Sequence, residues 1–98
     1  MTSKQRAYLK SLAMEIDPCL NIGKDGIEGS YADAVIEAIN KRELIKLNVL
    51  KNCVEEPNEL ARFLSERTGS EVVQVIGRKI VLYKPAKKKE DRKIVLPK

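Results

Sequence analysis

Apolar residues at the start of this chain recur with the period of an amphipathic helix. From Tyr8 to Ile16 they fall three or four positions apart, with adjacent pairs on the same stripe. Thr2, followed three residues later by Gln5, matches a capping box. The pattern predicts a first helix over residues 3–15.

The next segments predict a short strand, a second helix and a longer strand. In "CLNIG", Leu20 and Ile22 share one strand face, and after a glycine-rich stretch Ser30 can cap a helix that runs to about Arg42. "ELIKLNVL" then alternates as a half-buried strand does, with Ile45, Leu47 and Val49 on one face and Lys46 and Asn48 on the other. This polar strand face predicts that one side of the sheet stays open to solvent.

The last third of the pattern predicts a helix and a hairpin. Pro57 begins a helix whose apolar stripe includes Leu60 and Phe63, and Gly69 ends it. "EVVQVIGRKIVLY" predicts two strands that fold back at the Gly-Arg pair of positions 77 and 78. "KPAKKKEDRK" is then a charged linker, and "IVL" before Pro97 either adds a short strand or stays loose.

The predicted order of elements is α-β-α-β-α-β-β. Because helices separate the first three strands, parallel crossovers are expected, and the final hairpin adds an antiparallel strand. The fold class is therefore α/β, a compact two-layer sandwich with a mixed four-stranded sheet and helices mainly on one face. We expect residues 1–84 to form a single domain and residues 85–98 a basic, partly ordered C-terminal tail.

Composition narrows the class of protein. The chain has 98 residues, 43% of them apolar and 34% charged, which fits one small globular domain. No apolar run approaches the ~20 residues of a membrane helix, and the first ten residues lack the apolar segment of a secretory signal. We therefore expect a cytoplasmic protein that does not bind membranes. Cys19 and Cys53 are expected to be free thiols. Without histidine, two cysteines cannot complete a zinc site, so we expect no metal and no cofactor.

Charge is segregated along the chain. Residues 1–14 carry three basic and no acidic side chains, residues 15–71 seven basic and twelve acidic, and residues 72–98 nine basic and two acidic. The basic residues therefore lie toward the two ends, around an acidic middle. This pattern indicates either a surface for a polyanion or a solvated tail that promotes solubility.

The stretch "IGKDGIEG" places three glycines between a predicted strand and a predicted helix. Neither the P-loop pattern nor the dinucleotide fingerprint fits it, because Gly23, Gly26 and Gly29 give GxxGxxG. What remains is a GxxG loop, "GKDG". Taken alone it fits a bare turn as well as a loop that clamps a nucleic-acid backbone.

Four segments, in this order and at this spacing, resemble a known family. "SKQRAYLKSLA", "IGKDG", "RELIKLNVL" and "VVQVIGRKIVLYK" together are similar to the bacterial YhbY family of stand-alone CRM domains (chloroplast RNA splicing and ribosome maturation). The resemblance extends from about residue 3 to residue 96. It implies a fold similar to the C-terminal domain of translation initiation factor three. It also implies a role in ribosome assembly, by binding ribosomal RNA in precursors of the large subunit.

The resemblance also implies which residues bind RNA. On the matching positions the GxxG loop is Gly23, Lys24, Asp25 and Gly26, and the basic first helix contributes Lys4, Arg6 and Lys10. Two positions depart from the family. Met14 stands where members often have a histidine, and Asp25 stands where the loop residue is often neutral. Outside those matches, Arg78 and Lys79 at the hairpin tip are candidates for RNA contacts. The tail residues Lys84, Lys87 and Lys88 would add general affinity.

Aromatic composition bears on how RNA would be recognised. The chain has one Phe, three Tyr and no Trp, and Tyr8, Tyr31 and Phe63 fall on predicted apolar stripes. We therefore expect no aromatic stacking platform, and expect structured RNA to be recognised through its backbone with a steep dependence on salt.

Two other functions stay open from the residues alone. One is an enzyme that acts on a phosphorylated substrate. The chain has no histidine and no recognisable nucleophile motif, so it is poorly equipped for such chemistry and we expect no catalysis. The other is a protein-binding adaptor that uses the hairpin edge or the "IVL" tail. The protein is expected to be a monomer with RNA as its partner.

Overall fold

The computed structural model describes residues 1–24 and 31–97; predictions that fall on residues 25–30, including Asp25, Gly26 and the Ser30 cap, lie outside them. Three helices, four strands and a short 3-10 turn are seen in the described residues. They are α1 (Ser3–Ala13), β1 (Leu20–Ile22), α2 (Tyr31–Arg42), β2 (Leu44–Val49), α3 (Pro57–Thr68), β3 (Glu71–Ile76), β4 (Lys79–Tyr83) and the 3-10 turn Lys89–Asp91. The predicted order of elements is confirmed.

The four strands form one mixed sheet in the order β1-β2-β4-β3. β1 runs parallel to β2, whereas β4 is antiparallel to both β2 and β3. β1, β2 and β3 therefore point the same way, and the last strand in sequence lies inside the sheet between β2 and β3. A register shift between Val72 and Gln74 places a bulge in the edge strand β3.

The larger core lies between α2, α3 and one face of the sheet. Strand residues Ile45, Leu47, Ile80 and Leu82 are buried there against helix residues such as Leu64. The alternation predicted for β2 is confirmed, because Ile45, Leu47 and Val49 all enter this core. Burying such side chains is the main term that stabilises a domain of this size.

The opposite face of the sheet is only partly open. α1 lies across it, and Leu9 and Ala13 pack on Leu44, Val81 and Tyr83 in a second buried cluster. Two helices on one face and one on the other agree with the predicted fold class. The expectation of an open face is correct only for the part of the sheet that α1 leaves uncovered, because the amphipathic first helix buries its own apolar stripe there.

The predicted start of α1 and the predicted glycine turns are confirmed, whereas α1 ends at Ala13, two residues before the predicted end. The Thr2 side chain accepts a hydrogen bond from the Gln5 backbone N–H, and the Gln5 side chain accepts one from the Thr2 N–H, so the capping box is complete. Gly69 ends α3 in the left-handed conformation with φ 70°, and Gly77 turns the hairpin with φ 56°.

A buried carboxylate organises the C-terminal segment. Glu43 joins α2 to β2 in a left-handed conformation, with φ 64°, and is only 2% exposed. Its oxygens accept hydrogen bonds from the backbone N–H groups of Ala86 (2.8 Å), Lys93 (2.5 Å) and Ile94 (2.9 Å). The predicted "IVL" segment forms no strand. Instead, Ile94 and Leu96 pack on the second cluster.

Two aromatic residues are more exposed than predicted. Phe63 is 43% exposed and Tyr8 is 39% exposed, although both fall on apolar stripes in the sequence. α3 buries Leu60, Ala61 and Leu64 instead, and Phe63 lies at the flank of that stripe under the Arg67 guanidinium, 5.7 Å from the ring centroid. A position on the predicted apolar stripe therefore does not bury either ring.

Candidate functional site

Three loops meet at one end of the sheet because β1, β2 and β3 point the same way. The start of the glycine loop follows β1, the segment from Leu50 follows β2, and the hairpin turn follows β3. Backbone hydrogen bonds tie the three together: Leu50 N–H donates to the Ile22 carbonyl (2.8 Å), and Val49 N–H donates to the Arg78 carbonyl (2.7 Å). We call this the loop end of the sheet.

The first half of the GxxG motif lies at the loop end. A Cβ placed on Gly23 would lie 3.5 Å from Leu50 Cδ1 and 3.7 Å from Asn52 Oδ1, which are ordinary contact distances. The φ of Gly23 is not in the left-handed region. Among the described residues, therefore, neither crowding nor backbone conformation requires a glycine at this position.

Four cationic residues belong to the segments that meet at the loop end. Lys24, Arg78 and Lys79 were predicted from the sequence, and Lys51 joins them from the loop after β2. The Arg78 guanidinium donates to the Leu50 carbonyl (3.2 Å), which holds the hairpin turn against that loop. Glu55 and Glu56 lie farther along the same loop and are exposed.

Sequence reasoning missed Lys51 because it lies in the acidic middle of the chain. The signal that could have found it is the parallel pairing of β1 with β2, which places the residues after both strands at one edge.

The three basic residues predicted on α1 have different surroundings. Lys4 and Lys10 are exposed. The Arg6 guanidinium instead donates to the Val72 and Val73 carbonyls (2.5 and 3.0 Å) at the β3 bulge and lies 3.8 Å from a Glu71 carboxylate oxygen. Arg6 thus fastens α1 to the edge strand and occupies backbone acceptors on that edge.

Three predicted residues lie at the opposite end of the sheet from the loop end. Lys84 follows the end of β4 that is far from Lys79, and the two are about 17 Å apart along the strand. The Lys84 ammonium donates to the Thr68 carbonyl at the end of α3 (3.1 Å). Lys87 and Lys88 continue from it on the exposed tail. The structure does not bring these residues together with Lys24.

Other chemically active groups are sparse in the described residues. No group of three or more Cys, Asp or Glu side chains there is placed to hold a metal ion. Burial raises the pKa of the Cys19 thiol, with a smaller opposing effect from the positive charge of Arg42. The thiol is therefore protonated at neutral pH and is not an activated nucleophile. None of the helices described is both long and apolar enough to cross a bilayer.

Comparison with known proteins gives consistent matches. The family model for the CRS1/YhbY (CRM) domain matches residues 1–84. The "Probable RNA-binding protein YqeI" of Bacillus subtilis is 41% identical over 97 residues, covering 99% of both chains. An "RNA-binding protein" of Haemophilus influenzae is 32% identical over 97 residues, covering 99% of this chain and 95% of its own. The solution structure of SAV1595 from Staphylococcus aureus is 46% identical, with a TM-score of 0.80 and coverage of 99% of each chain.

Proposed function

Because the chain belongs to the CRS1/YhbY (CRM) domain family, we propose that it binds RNA at the loop end of the sheet. The observation that carries the proposal is the meeting of three loops there, with Lys24, Lys51, Arg78 and Lys79 around the start of a GxxG loop. The names of its relatives in B. subtilis and H. influenzae support RNA as the ligand.

The chemistry of the loop end suits a phosphate backbone. Lysine and arginine make charge-assisted hydrogen bonds to phosphate oxygens, and a glycine lets the backbone approach closely. The fold itself does not require a glycine at position 23, which supports an external reason for it. In this proposal Gly23, Lys24, Asp25 and Gly26 form the RNA-contacting loop.

The remaining basic residues contribute in two ways. Lys4 and Lys10 are exposed on α1 and extend the positive surface. Lys84, Lys87 and Lys88 lie at the far end of the sheet, where they add general attraction for RNA rather than register. The side chains of Arg6 and Lys84 already have partners within the fold, so removing either one would also perturb stability.

The physiological ligand we propose is ribosomal RNA in precursors of the large subunit, and the task is ribosome assembly in the cytoplasm. The protein would act as a monomer without a cofactor and without catalysis. Residues 1–84 would form the RNA-binding domain and residues 85–98 a basic tail.

The structure bears on the alternative of a protein-binding adaptor. On the edge strand β3, the Val72 and Val73 carbonyls accept hydrogen bonds from Arg6 beside the bulge, which hinders addition of a partner strand there. Ile94 and Leu96 of the tail are packed on the second cluster. A pull-down with and without nuclease separates the two functions, because an adaptor keeps its protein partner and a partner bridged by RNA is lost.

The direct test measures binding to precursor ribosomal RNA at several salt concentrations. Counterion release predicts a linear fall of log affinity with log salt for the wild type. Lys24→Ala is expected to weaken binding and to reduce the slope by about one. Gly26→Asp should weaken binding further, because it places a carboxylate in the loop.

Lys41→Ala is the matched control. Lys41 is exposed on α2 and its ammonium bonds only Glu37 (3.3 Å) among the described residues, a pair of little energetic weight. A flat salt response of the wild type, or equal effects of the Lys24 and Lys41 substitutions, would contradict a phosphate site at the loop end.

A further inference from the structure

Four residues form a row across all four strands on the face that α1 partly covers. Asn21 of β1 pairs with Asn48 of β2, Asn48 pairs with Lys79 of β4, and Lys79 pairs with Ile76 of β3. Directly paired residues point to the same face of a sheet, so these side chains form a line about 14 Å long.

This row lies beyond the part of the face that α1 covers. The buried cluster under α1 includes Leu44, Val81 and Tyr83 but none of the four row residues. Asn21 is exposed, and Ile76 is 58% exposed. Asn21 precedes the GxxG loop by two positions and Lys79 follows Arg78, so the row borders the loop end.

Hydrogen bonds within the row determine which way its amides face. The Lys79 ammonium donates to Asn48 Oδ1 (2.6 Å), and Asn48 Nδ2 donates to Asn21 Oδ1 (3.3 Å). An ammonium group cannot accept a hydrogen bond, so the Asn48 oxygen must face Lys79 and its NH₂ group must face Asn21. The oxygen of Asn21 is then occupied as an acceptor.

The consequence is a side chain with a defined polarity at its tip. Asn21 presents its Nδ2 group, with two N–H donors, away from the row, and no hydrogen bond from this group is made to another described residue. The apolar surface of Ile76 lies at the other end of the same row. An exposed pair of N–H donors suits the acceptor groups on the edge of a nucleobase, whereas Ile76, about 14 Å away, is too distant to contact the same base.

We propose that Asn21 contacts a carbonyl group of an RNA base, and that Asn48 and Lys79 are positioning residues that hold its amide in the donating orientation. The inference rests on the proposed RNA-binding function and adds base discrimination to a site that otherwise recognises phosphates. Uracil offers two carbonyl acceptors, O2 and O4, whereas adenine has no carbonyl and sets its N6 amine, a donor like the Asn21 NH₂ group, beside its ring-nitrogen acceptors. Uracil is therefore the base that this row favours over adenine.

The test compares binding of oligo(U) and oligo(A) by the full chain and its variants over a range of salt concentrations. Asn21→Ala should reduce the ratio of the two affinities by about fivefold, the lower end of the range for base contacts, and leave the salt slope unchanged. Lys24→Ala, the phosphate control, should weaken both oligomers equally and reduce the slope. Asn21 is exposed, so its truncation leaves the core intact.

A second variant uses the direction of the hydrogen bonds. Asn48→Asp keeps an acceptor for Lys79 but replaces the NH₂ group with an oxygen, so Asn21 must turn its own NH₂ group inward and present its oxygen outward. The preference should then shift from uracil toward adenine, whose exocyclic amine is a donor. The added negative charge weakens the binding of both oligomers alike, so its effect cancels in the ratio of the two affinities.

Three results would overturn the inference. The first is an unchanged ratio of the oligo(U) and oligo(A) affinities in Asn21→Ala. The second is a loss of affinity in Asn21→Ala that is equal for both oligomers and comes with a reduced salt slope. The third is a wild type that binds RNA with no preference between the two oligomers. In each of these cases RNA binding itself stands. A wild type that binds neither oligomer nor precursor RNA overturns the proposed function as well.

Discussion

Removing the carboxylate of Glu43 should release the C-terminal segment from the domain. Three backbone N–H groups, on Ala86, Lys93 and Ile94, donate to this one side chain across 43 to 51 positions of sequence. Each hydrogen bond to a charged group contributes about 1.5–3 kcal/mol. The loss is smaller than the sum for three bonds, because the freed N–H groups lie on a surface segment and can bond to water instead. We therefore expect Glu43→Ala to lower the free energy of unfolding by about 3 kcal/mol.

Two further substitutions at this position separate the side chain from the backbone. Glu43→Gln keeps an oxygen for the Lys93 and Ile94 N–H groups but sets an NH₂ group against the Ala86 N–H, so a smaller loss of about 1–2 kcal/mol is expected. Glu43→Gly also loses all three bonds but relieves the left-handed φ of 64°, which costs a residue with a Cβ about 1 kcal/mol. The glycine variant should therefore be more stable than the alanine variant.

Urea denaturation at pH 7 measures the three free energies, and amide hydrogen exchange at Lys93 and Ile94 reports whether the segment is held. In the wild type these amides should be protected, and in the alanine and glycine variants they should exchange rapidly. Rapid exchange in the wild type, or a glycine variant less stable than the alanine variant, would refute the reasoning.

Three other predictions concern pH, the core and a helix end. Burial alone would raise the pKa of Glu43, but the three N–H donors and the charge of Arg92 outweigh it and hold the pKa below its usual value of 4.5. The stabilisation is therefore present above about pH 4.5 and is lost as the pH falls through the pKa of the folded state. In parallel denaturant titrations the wild type should lose more stability on acidification than Glu43→Gln. Leu64 is a fully buried residue on the sheet-facing side of α3, and Leu64→Ala should lower the free energy of unfolding in urea by about 2–5 kcal/mol. Val54 is 92% exposed, and Val54→Ala should change that free energy little. Gly69→Ala should cost about 1 kcal/mol from its φ of 70° alone, because the atom nearest to a new Cβ, Lys84 Nζ, lies at 3.9 Å, an ordinary contact distance. A melting temperature equal to that of the wild type would contradict this.

Local sequence patterns predicted the elements of this fold well. The capping box at Thr2, the glycine that ends α3 and the hairpin turn at Gly77 are interactions among residues close in sequence, so residue type and spacing identify them. The alternation in β2 likewise placed Asn48 on the polar strand face. These features depend on φ preferences and periodicity, which a single chain displays directly.

The candidate site was predictable only in part. The glycine loop, Lys24 and the hairpin cations follow from motif and resemblance, and their role in RNA binding stays a prediction. Lys51 was missed because it lies in the acidic middle of the chain. Phe63 falls on the predicted apolar stripe of α3 but is 43% exposed, because the burial of a residue at the flank of a helix depends on which neighbour it meets.

By itself, the sequence determined the order and approximate extent of the helices and strands, which strand positions are apolar, and which family the chain resembles. The tertiary structure alone decided that β4 enters between β2 and β3 and that α1 covers part of the second face. It also decided that Glu43 holds the tail and that Asn21, Asn48 and Lys79 form one polar row. Most of the contacts in these arrangements join residues from about 27 to more than 65 positions apart, and no local preference specifies such contacts. They are selected by which packing buries the apolar faces while nearly all buried polar groups still find a partner.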